Sequence, residues 1–185
     1  YGPEVDAAFS ELQRDAGIDA TGQPSVNLMA ALFDMSAFVL VPGGKARVRT
    51  MQQWLNSKYS KYTGILPCDG IYQRDTNVAL IYALQRALGL SATDATGVFG
   101  SQTELSLHNV SIAVESSPVA SDVVRIIEYG LYLNGFYDGE FNTVYSADVG
   151  AAIKSFSTFM HYDNASTTAD YTVIKGLVTS NGDTD

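Results

Sequence analysis

Residues 69–90, DGIYQRDTNVALIYALQRALGL, decide the fold because they predict a tight turn followed by one amphipathic helix. An Asp-Gly pair favours a turn, and Thr76 is a residue type that caps helices through its side-chain oxygen. Apolar residues from Leu80 to Leu88 recur at spacings of three and four, which places them on one helical face. Gly89 stands where a helix end needs a left-handed residue.

The same pattern occurs three times along the chain, which predicts a repeat architecture. Residues 5–13 and 149–157 share apolar side chains at relative positions one, four, five and eight. Tyr1 and Phe141 align with Tyr72, the aromatic residue two positions after the Asp-Gly glycine. We therefore predict a mainly all-α fold of tandem three-helix repeats with short extended turns. The predicted copies are a partial first copy (1–35), a complete second copy (45–110) and a complete, divergent third copy (120–180).

The spacing within each copy predicts the helices. The first copy lacks its first helix and cannot close a core alone, so we expect either that it packs on the second copy or that the sequence begins partway through a repeat. We predict a loop over residues 57–66, an extended segment and turn over 36–47, and a frayed tail over 180–185. In the first copy we expect a helix end near Gly17 and a helix over Val26–Phe33 capped by Ser25. In the second copy we expect a first helix lined by Val48, Met51 and Leu55 and a last helix over Thr103–Leu107. In the third copy we expect a first helix lined by Val124, Ile127 and Leu131 and a last helix over Val173–Val178.

Composition describes a globular protein with an uneven charge. Apolar residues make up 46% and charged residues 17%, and no apolar run reaches the length of a membrane span. The sequence also starts without the basic and apolar segments of a signal peptide. The net charge is −9, but residues 45–110 carry seven bases against four acids. The overall sign argues against nucleic acid as a partner, and only the middle third is expected to attract an anionic ligand.

Few residues are of the kinds that carry catalysis. Cys68 is the single cysteine, which excludes an intrachain disulfide and a thiolate-rich zinc site and favours a small buried side chain. His108 and His161 lack the spacing of a shared metal motif, so we expect no metal or other cofactor. No nucleophile motif is present. Counting carboxylates leaves a two-acid glycosidase open, but small helical bundles seldom form a deep cleft, so we interpret the chain as non-catalytic.

These motifs resemble the bacterial peptidoglycan-binding domain family, a three-helix fold often attached to cell-wall hydrolases. The likeness lies in the Asp69-Gly70-Ile71-Tyr72 turn, in Leu84-Gln85 and Gly89-Leu90, and in residues 97–103, and it covers nearly the whole chain. Residues 65–72 are also similar to repeats that follow a glycoside-hydrolase-like domain in some Gram-positive secreted proteins. In the third copy Ser157 replaces the family's Gln and His161-Tyr162 replaces its Gly-Leu, which favours a structural role for that copy.

The resemblance implies a secreted, wall-associated module that binds peptidoglycan, through its glycan or its stem peptide, and anchors an attached hydrolase. A structural spacer or protein-docking array is the alternative, and a carbohydrate hydrolase is a third interpretation. Release of reducing sugar would distinguish the last.

Candidate ligand residues are aromatic and polar side chains beside the predicted turns, because sugars bind flat aromatic faces and convergent hydrogen-bonding groups. Lys58, Lys61 and Arg74 are suited to peptide carboxylates, although residues 58–62 are equally well explained as a solvated loop. For Asp69 and Asp138 the structural interpretation is a hydrogen bond to nearby backbone N–H groups, and for Trp54 it is packing. The candidates are Tyr59, Tyr62, Asp69, Tyr72, Arg74, Asp75, Asn77 and Gln102 in the second copy, and Tyr137, Phe141, Asn142 and Tyr145 in the more acidic third copy.

Overall fold

The protein is all-α, as predicted. The computed structural model describes residues 2–34, 38–108, 110–112 and 121–180. Within these residues there is no β-strand, and the only β-type pairing is an isolated antiparallel bridge between Ile112 and Ala169. The helices in the described residues are α1 (Pro3–Ala16), α2 (Val26–Asp34), α3 (Ala46–Thr63), α4 (Arg74–Ala87), α5 (Ser101–Leu107), α6 (Ser121–Leu133), α7 (Ala147–Phe159) and α8 (Tyr171–Thr179).

The chain divides into two compact units, Tyr1–Ala79 and Leu80–Asp185. The division falls within α4 and therefore inside the predicted second copy. The predicted repeat boundaries at 1–35, 45–110 and 120–180 stay a prediction. Tyr1, residues 35–37, Asn109, residues 113–120 and residues 181–185 lie outside the described residues, and with them the start of the predicted 36–47 segment and most of the predicted tail.

In the first unit, the end of α1 packs on α3, which confirms the expected packing of the partial copy. The Asn56 side chain donates from Nδ2 to the Ala16 carbonyl at 2.7 Å, and Arg49 pairs with Asp15 at 3.1 Å. The core of this partial copy also includes Ile65 and Cys68 from the second copy. Ile65 and Cys68 thus share one buried core with Ala16 and Leu28 of the first copy.

Two local predictions in the first unit are wrong. The predicted loop over residues 57–66 is helical as far as Thr63, because Tyr59 lies one turn after Leu55 and continues its buried face. Thr76 does not cap α4, which begins at Arg74. Instead, Thr76 is buried and its Oγ1 accepts a hydrogen bond from Gln52 Nε2 at 3.3 Å. The Ser25 cap is confirmed, since its Oγ accepts from the Leu28 N–H at 3.2 Å.

In the second unit, α6 contacts both α7 and α8. The predicted stripe of Val124, Ile127 and Leu131 is buried. Gly130 lies so close to α8 that a Cβ at this position would meet Leu177 Cβ at 2.8 Å, which explains a glycine inside a helix. Helices α7 and α8 therefore both pack on α6.

The three long middle helices, α1, α4 and α7, end in the same way. Gly17, Gly89 and His161 have φ angles of 73°, 91° and 56°, the left-handed conformation that closes a helix. In each case the next residue's N–H donates back to the carbonyl five positions earlier, on Gln13, Gln85 and Ser157 respectively. These positions are therefore structural equivalents, as the aligned sequences predict.

Candidate functional site

Several predicted ligand residues of the second copy hold its turn together. Asp69 Oδ1 accepts from the Ile71 N–H and from Gln52 Nε2, each at 2.9 Å, so the structural interpretation of Asp69 is confirmed. Tyr72 accepts a hydrogen bond from Asn77 Nδ2 at 2.6 Å, and burial raises the pKa of Tyr72. Asp69, Tyr72 and Asn77 therefore use polar atoms in hydrogen bonds that hold the turn itself.

Other candidates of the second copy are exposed. Arg74 and Asp75 lie in the first turn of α4 with exposed side chains. Gln102 is exposed in the first turn of α5 and belongs to the second unit. Tyr59 is only 9% exposed and its ring contacts Trp54 edge-on, with 6.0 Å between the centroids. Of these four residues, Tyr59 is therefore a packing residue and the other three remain available to a ligand.

One face of α3 presents aromatic rings and lysines together. Trp54, Lys58, Lys61 and Tyr62 follow the spacing of one helical face, and we call them the α3 stripe. The Lys58 Nζ lies 5.4 Å from the Trp54 ring centroid, and the Lys61 Nζ lies 5.8 Å from that of Tyr62. Tyr62 is 52% exposed and Trp54 is half-buried. This surface offers flat rings and cationic groups side by side.

The charge of α3 contrasts with that of the chain. Its 18 residues include four basic side chains and no acidic one, whereas the whole protein has a net charge of −9. Arg49 is paired with Asp15, but Lys58 and Lys61 are exposed on the stripe. Local positive charge attracts anionic groups over about a Debye length, roughly 8–10 Å at physiological salt. The α3 stripe is therefore the candidate surface for an anionic, sugar-containing ligand.

The turn of the third copy lies four residues later than the sequence alignment predicts. Asn142 Oδ1 accepts from the Val144 N–H at 2.9 Å, as Asp69 does in the second copy, and Thr143 has a φ of 65° where Gly70 has 82°. Asn142-Thr143, and not Asp138-Gly139, is thus the equivalent of Asp69-Gly70. The predicted turn at Asp138-Gly139 is therefore wrong. Asn142 and a left-handed Thr143 make the same turn without an Asp-Gly pair.

The predicted ligand residues of the third copy make contacts within the chain. The Phe141 ring packs edge-on against Tyr129 with 4.7 Å between centroids, so Phe141 is not the counterpart of Tyr72. The counterpart of Tyr72 is Tyr145, which follows Asn142 by three residues as Tyr72 follows Asp69. Its hydroxyl donates to the Thr167 carbonyl at 2.8 Å, and burial raises its pKa to about 12. Tyr137 donates to the Glu140 carbonyl at 3.1 Å.

Sequence reasoning missed the buried polar residues that position these turns. Gln52 and Glu128 are fully buried on α3 and α6. Gln52 accepts from the Gly70 N–H at 3.0 Å, and Glu128 accepts from the Asn142 and Thr143 N–H groups at 3.3 and 3.2 Å. The sequence does contain one indication of their role. In each copy the polar residue comes directly after an apolar residue of the buried helical face, Gln52 after Met51 and Glu128 after Ile127.

Cys68 is a packing residue, as predicted. It is 0% exposed, and desolvation raises the pKa of its thiol to about 12 although Arg49 and an Asn56 hydrogen bond oppose the shift. We expect a thiol reagent at pH 8 to label Cys68 only as fast as the first unit opens, because the thiolate is the reactive form. Labelling followed by mass spectrometry, without and with urea, measures this. Rapid labelling of folded protein would contradict the assignment.

Two features are absent from the described residues. Within the described residues, no group of three or more His, Cys, Asp or Glu side chains is placed to hold a metal ion. None of the helices in that part of the chain is long and apolar enough to cross a membrane.

The all-α fold and the family that the sequence matches identify a peptidoglycan-binding-like domain. Residues 41–178 match the family described as FadG/YbfG, PGDB-like domain, and the chain belongs to this family. It is 43% identical over 186 residues to the uncharacterized protein YbfG of Bacillus subtilis (strain 168), covering 98% of the chain and 24% of YbfG. It is 33% identical over 186 residues to the uncharacterized FadG of the same organism, covering 99% of the chain and 32% of FadG.

The chain therefore spans about a quarter to a third of the length of these relatives. No solved structure matches it.

Proposed function

We propose that this chain is a non-catalytic module that binds bacterial peptidoglycan through the α3 stripe and anchors an attached cell-wall hydrolase outside the cell. The family supports the fold-level part of this proposal. The concentration of basic and aromatic side chains on α3, in an otherwise acidic chain, is the observation that carries the binding part.

The stripe matches the chemistry of the wall polymer. Glycan rings present apolar faces that pack on aromatic side chains, and lysines attract the carboxylates of stem peptides. Lys58 beside Trp54 and Lys61 beside Tyr62 provide both groups at two adjacent points on one helix. Weak contacts of this kind raise the effective concentration of a linked enzyme at its substrate.

The test is co-sedimentation with purified bacterial cell walls. We expect Lys61→Glu to weaken binding by roughly tenfold, because a charge-assisted contact is replaced by repulsion. Binding of the unmodified protein should also fall as salt rises. Lys154→Glu is the matched control, since it makes the same charge change at an exposed position of α7 and should leave sedimentation unchanged.

The outcomes separate the candidate functions. Unmodified protein that stays in the supernatant at low salt contradicts wall binding. Association with a protein partner and none with wall fragments favours the spacer or docking alternative. Release of reducing sugar by this chain alone would establish a hydrolase in its own right. Equal losses in both lysine variants would show a nonspecific charge effect and would remove the α3 stripe from the proposal.

A further inference from the structure

A polar cavity of about 280 Å³ lies in the third copy between the end of α7 and the start of α8. Its wall includes Ser157, His161, Asp163, Asn164, Asp170 and Thr172. Ser157 is 1% exposed, and its Oγ is buried without a hydrogen-bond partner in the described part of the chain. A buried polar atom without a partner costs free energy, so it calls for an explanation.

The other two copies show what normally fills this place. Gln85 accepts from the Thr96 and Gly97 N–H groups at 2.8 and 2.9 Å, and donates to the Val98 carbonyl and to Thr103 Oγ1 at 2.9 and 2.8 Å. In the first copy the equivalent residue is Gln13. Its side chain accepts from the Gly22 N–H and donates to Thr21 Oγ1 and to the Gln23 carbonyl.

Ser157 occupies the structural position of these two glutamines but is too short to make their contacts. The loop itself is built alike, because the Thr168 N–H donates to Ser166 Oγ just as the Val98 N–H donates to Thr96 Oγ1. The third copy has therefore kept the loop but has only a short side chain at the glutamine position. The cavity lies beside this Ser157 and is lined mainly by residues 161–164, 170, 172 and 173.

The wall of the cavity selects a class of ligand. It offers hydroxyl, amide, imidazole and carboxylate groups but includes no Lys or Arg. Asp170 uses one oxygen to accept from the Val173 N–H at 3.0 Å, and Asp163 is exposed at the rim. Acceptor groups of this kind bind the hydroxyl groups of a neutral ligand and repel an anion. The volume is at the lower end for ligand pockets, about 300 Å³, and suits one ring.

We propose that this cavity binds a single neutral sugar ring, so that the third copy recognises the glycan while the α3 stripe engages the charged parts of the wall. The inference rests on the proposed function, because it names the part of the polymer held by one copy. It also gives the third copy a binding role in place of the purely structural one that its sequence favours.

The test is an NMR titration of the ¹⁵N-labelled full chain with N-acetylglucosamine. We expect shifts in the backbone amides of Ser157, Thr172 and their neighbours. N-acetylmuramic acid, which adds a carboxylate, should bind at least several-fold more weakly. Ser157→Gln should restore the amide of the other copies, fill the cavity and reduce sugar affinity by tenfold or more. Thr158→Gln is the matched control, since it changes the adjacent exposed residue of α7 and should bind as the unmodified protein does.

Each outcome supports or overturns the proposal. Absence of shifts at saturating sugar concentration, or unchanged binding by folded Ser157→Gln, overturns it and assigns the cavity to ordered water. If Ser157→Gln does not fold, Asn164→Ala at the exposed rim should still weaken binding several-fold. Wall sedimentation without sugar binding overturns this inference alone. Sugar binding without wall sedimentation overturns the proposed function and leaves the sugar site standing.

Discussion

Gly17→Ala is expected to lower the free energy of unfolding of the first unit by about 2–5 kcal/mol. Gly17 has a φ of 73°, and a Cβ there would lie 2.6 Å from the Gln53 backbone oxygen. The added methyl group therefore combines left-handed strain with a clash against backbone that cannot rotate away. Because α1 and α3 meet here, the substitution should separate the partial copy from the helix on which it packs.

Urea unfolding followed by the fluorescence of Trp54, the single tryptophan, reports on this unit. Gly43→Ala is the matched control, because Gly43 also has a positive φ, 84°, but nothing lies within 4 Å of its Cβ position. We expect it to cost only the backbone strain, about 1–2 kcal/mol. Equal losses in the two variants would show that the close approach of Gly17 to Gln53 adds no cost beyond the backbone strain.

Much of the fold could be predicted because helices and their ends have local signals. The spacing of Val124, Ile127 and Leu131 by itself predicts a helix with one buried face. The glycine at position 17 by itself predicts a helix end. The end of α3 could not be predicted in this way. Its last turns are rich in Tyr and Lys and look like a solvated loop, and only the burial of Tyr59 shows why the helix continues.

The candidate site was less predictable, because a residue type does not reveal its partners. Asp69 and Tyr72 have the chemistry of ligand residues, but their polar atoms bind the protein itself. Asn142-Thr143 makes a turn that the sequence assigned to Asp138-Gly139, since left-handed residues other than glycine have no clear sequence signal. The second-copy candidates that are exposed in the structure are Lys58, Lys61 and Tyr62 on α3, together with Arg74, Asp75 and Gln102.

Gln85→Ser is expected to destabilise the second unit by about 3–5 kcal/mol, because a serine is too short to make the hydrogen bonds of Gln85. The variant gives the second copy the residue that the third copy has naturally, Ser157. The change removes all four hydrogen bonds of the Gln85 amide and leaves the buried Gly97 N–H and Thr103 hydroxyl without this partner. Urea unfolding and amide hydrogen exchange at Gly97 measure the loss, with the exposed Gln102→Ser as the matched control. A loss below about 1 kcal/mol would mean that water replaces the glutamine at little cost. The natural Ser157 would then need no ligand to explain it, whereas a large loss shows that this position is normally filled for stability and was left open in the third copy alone.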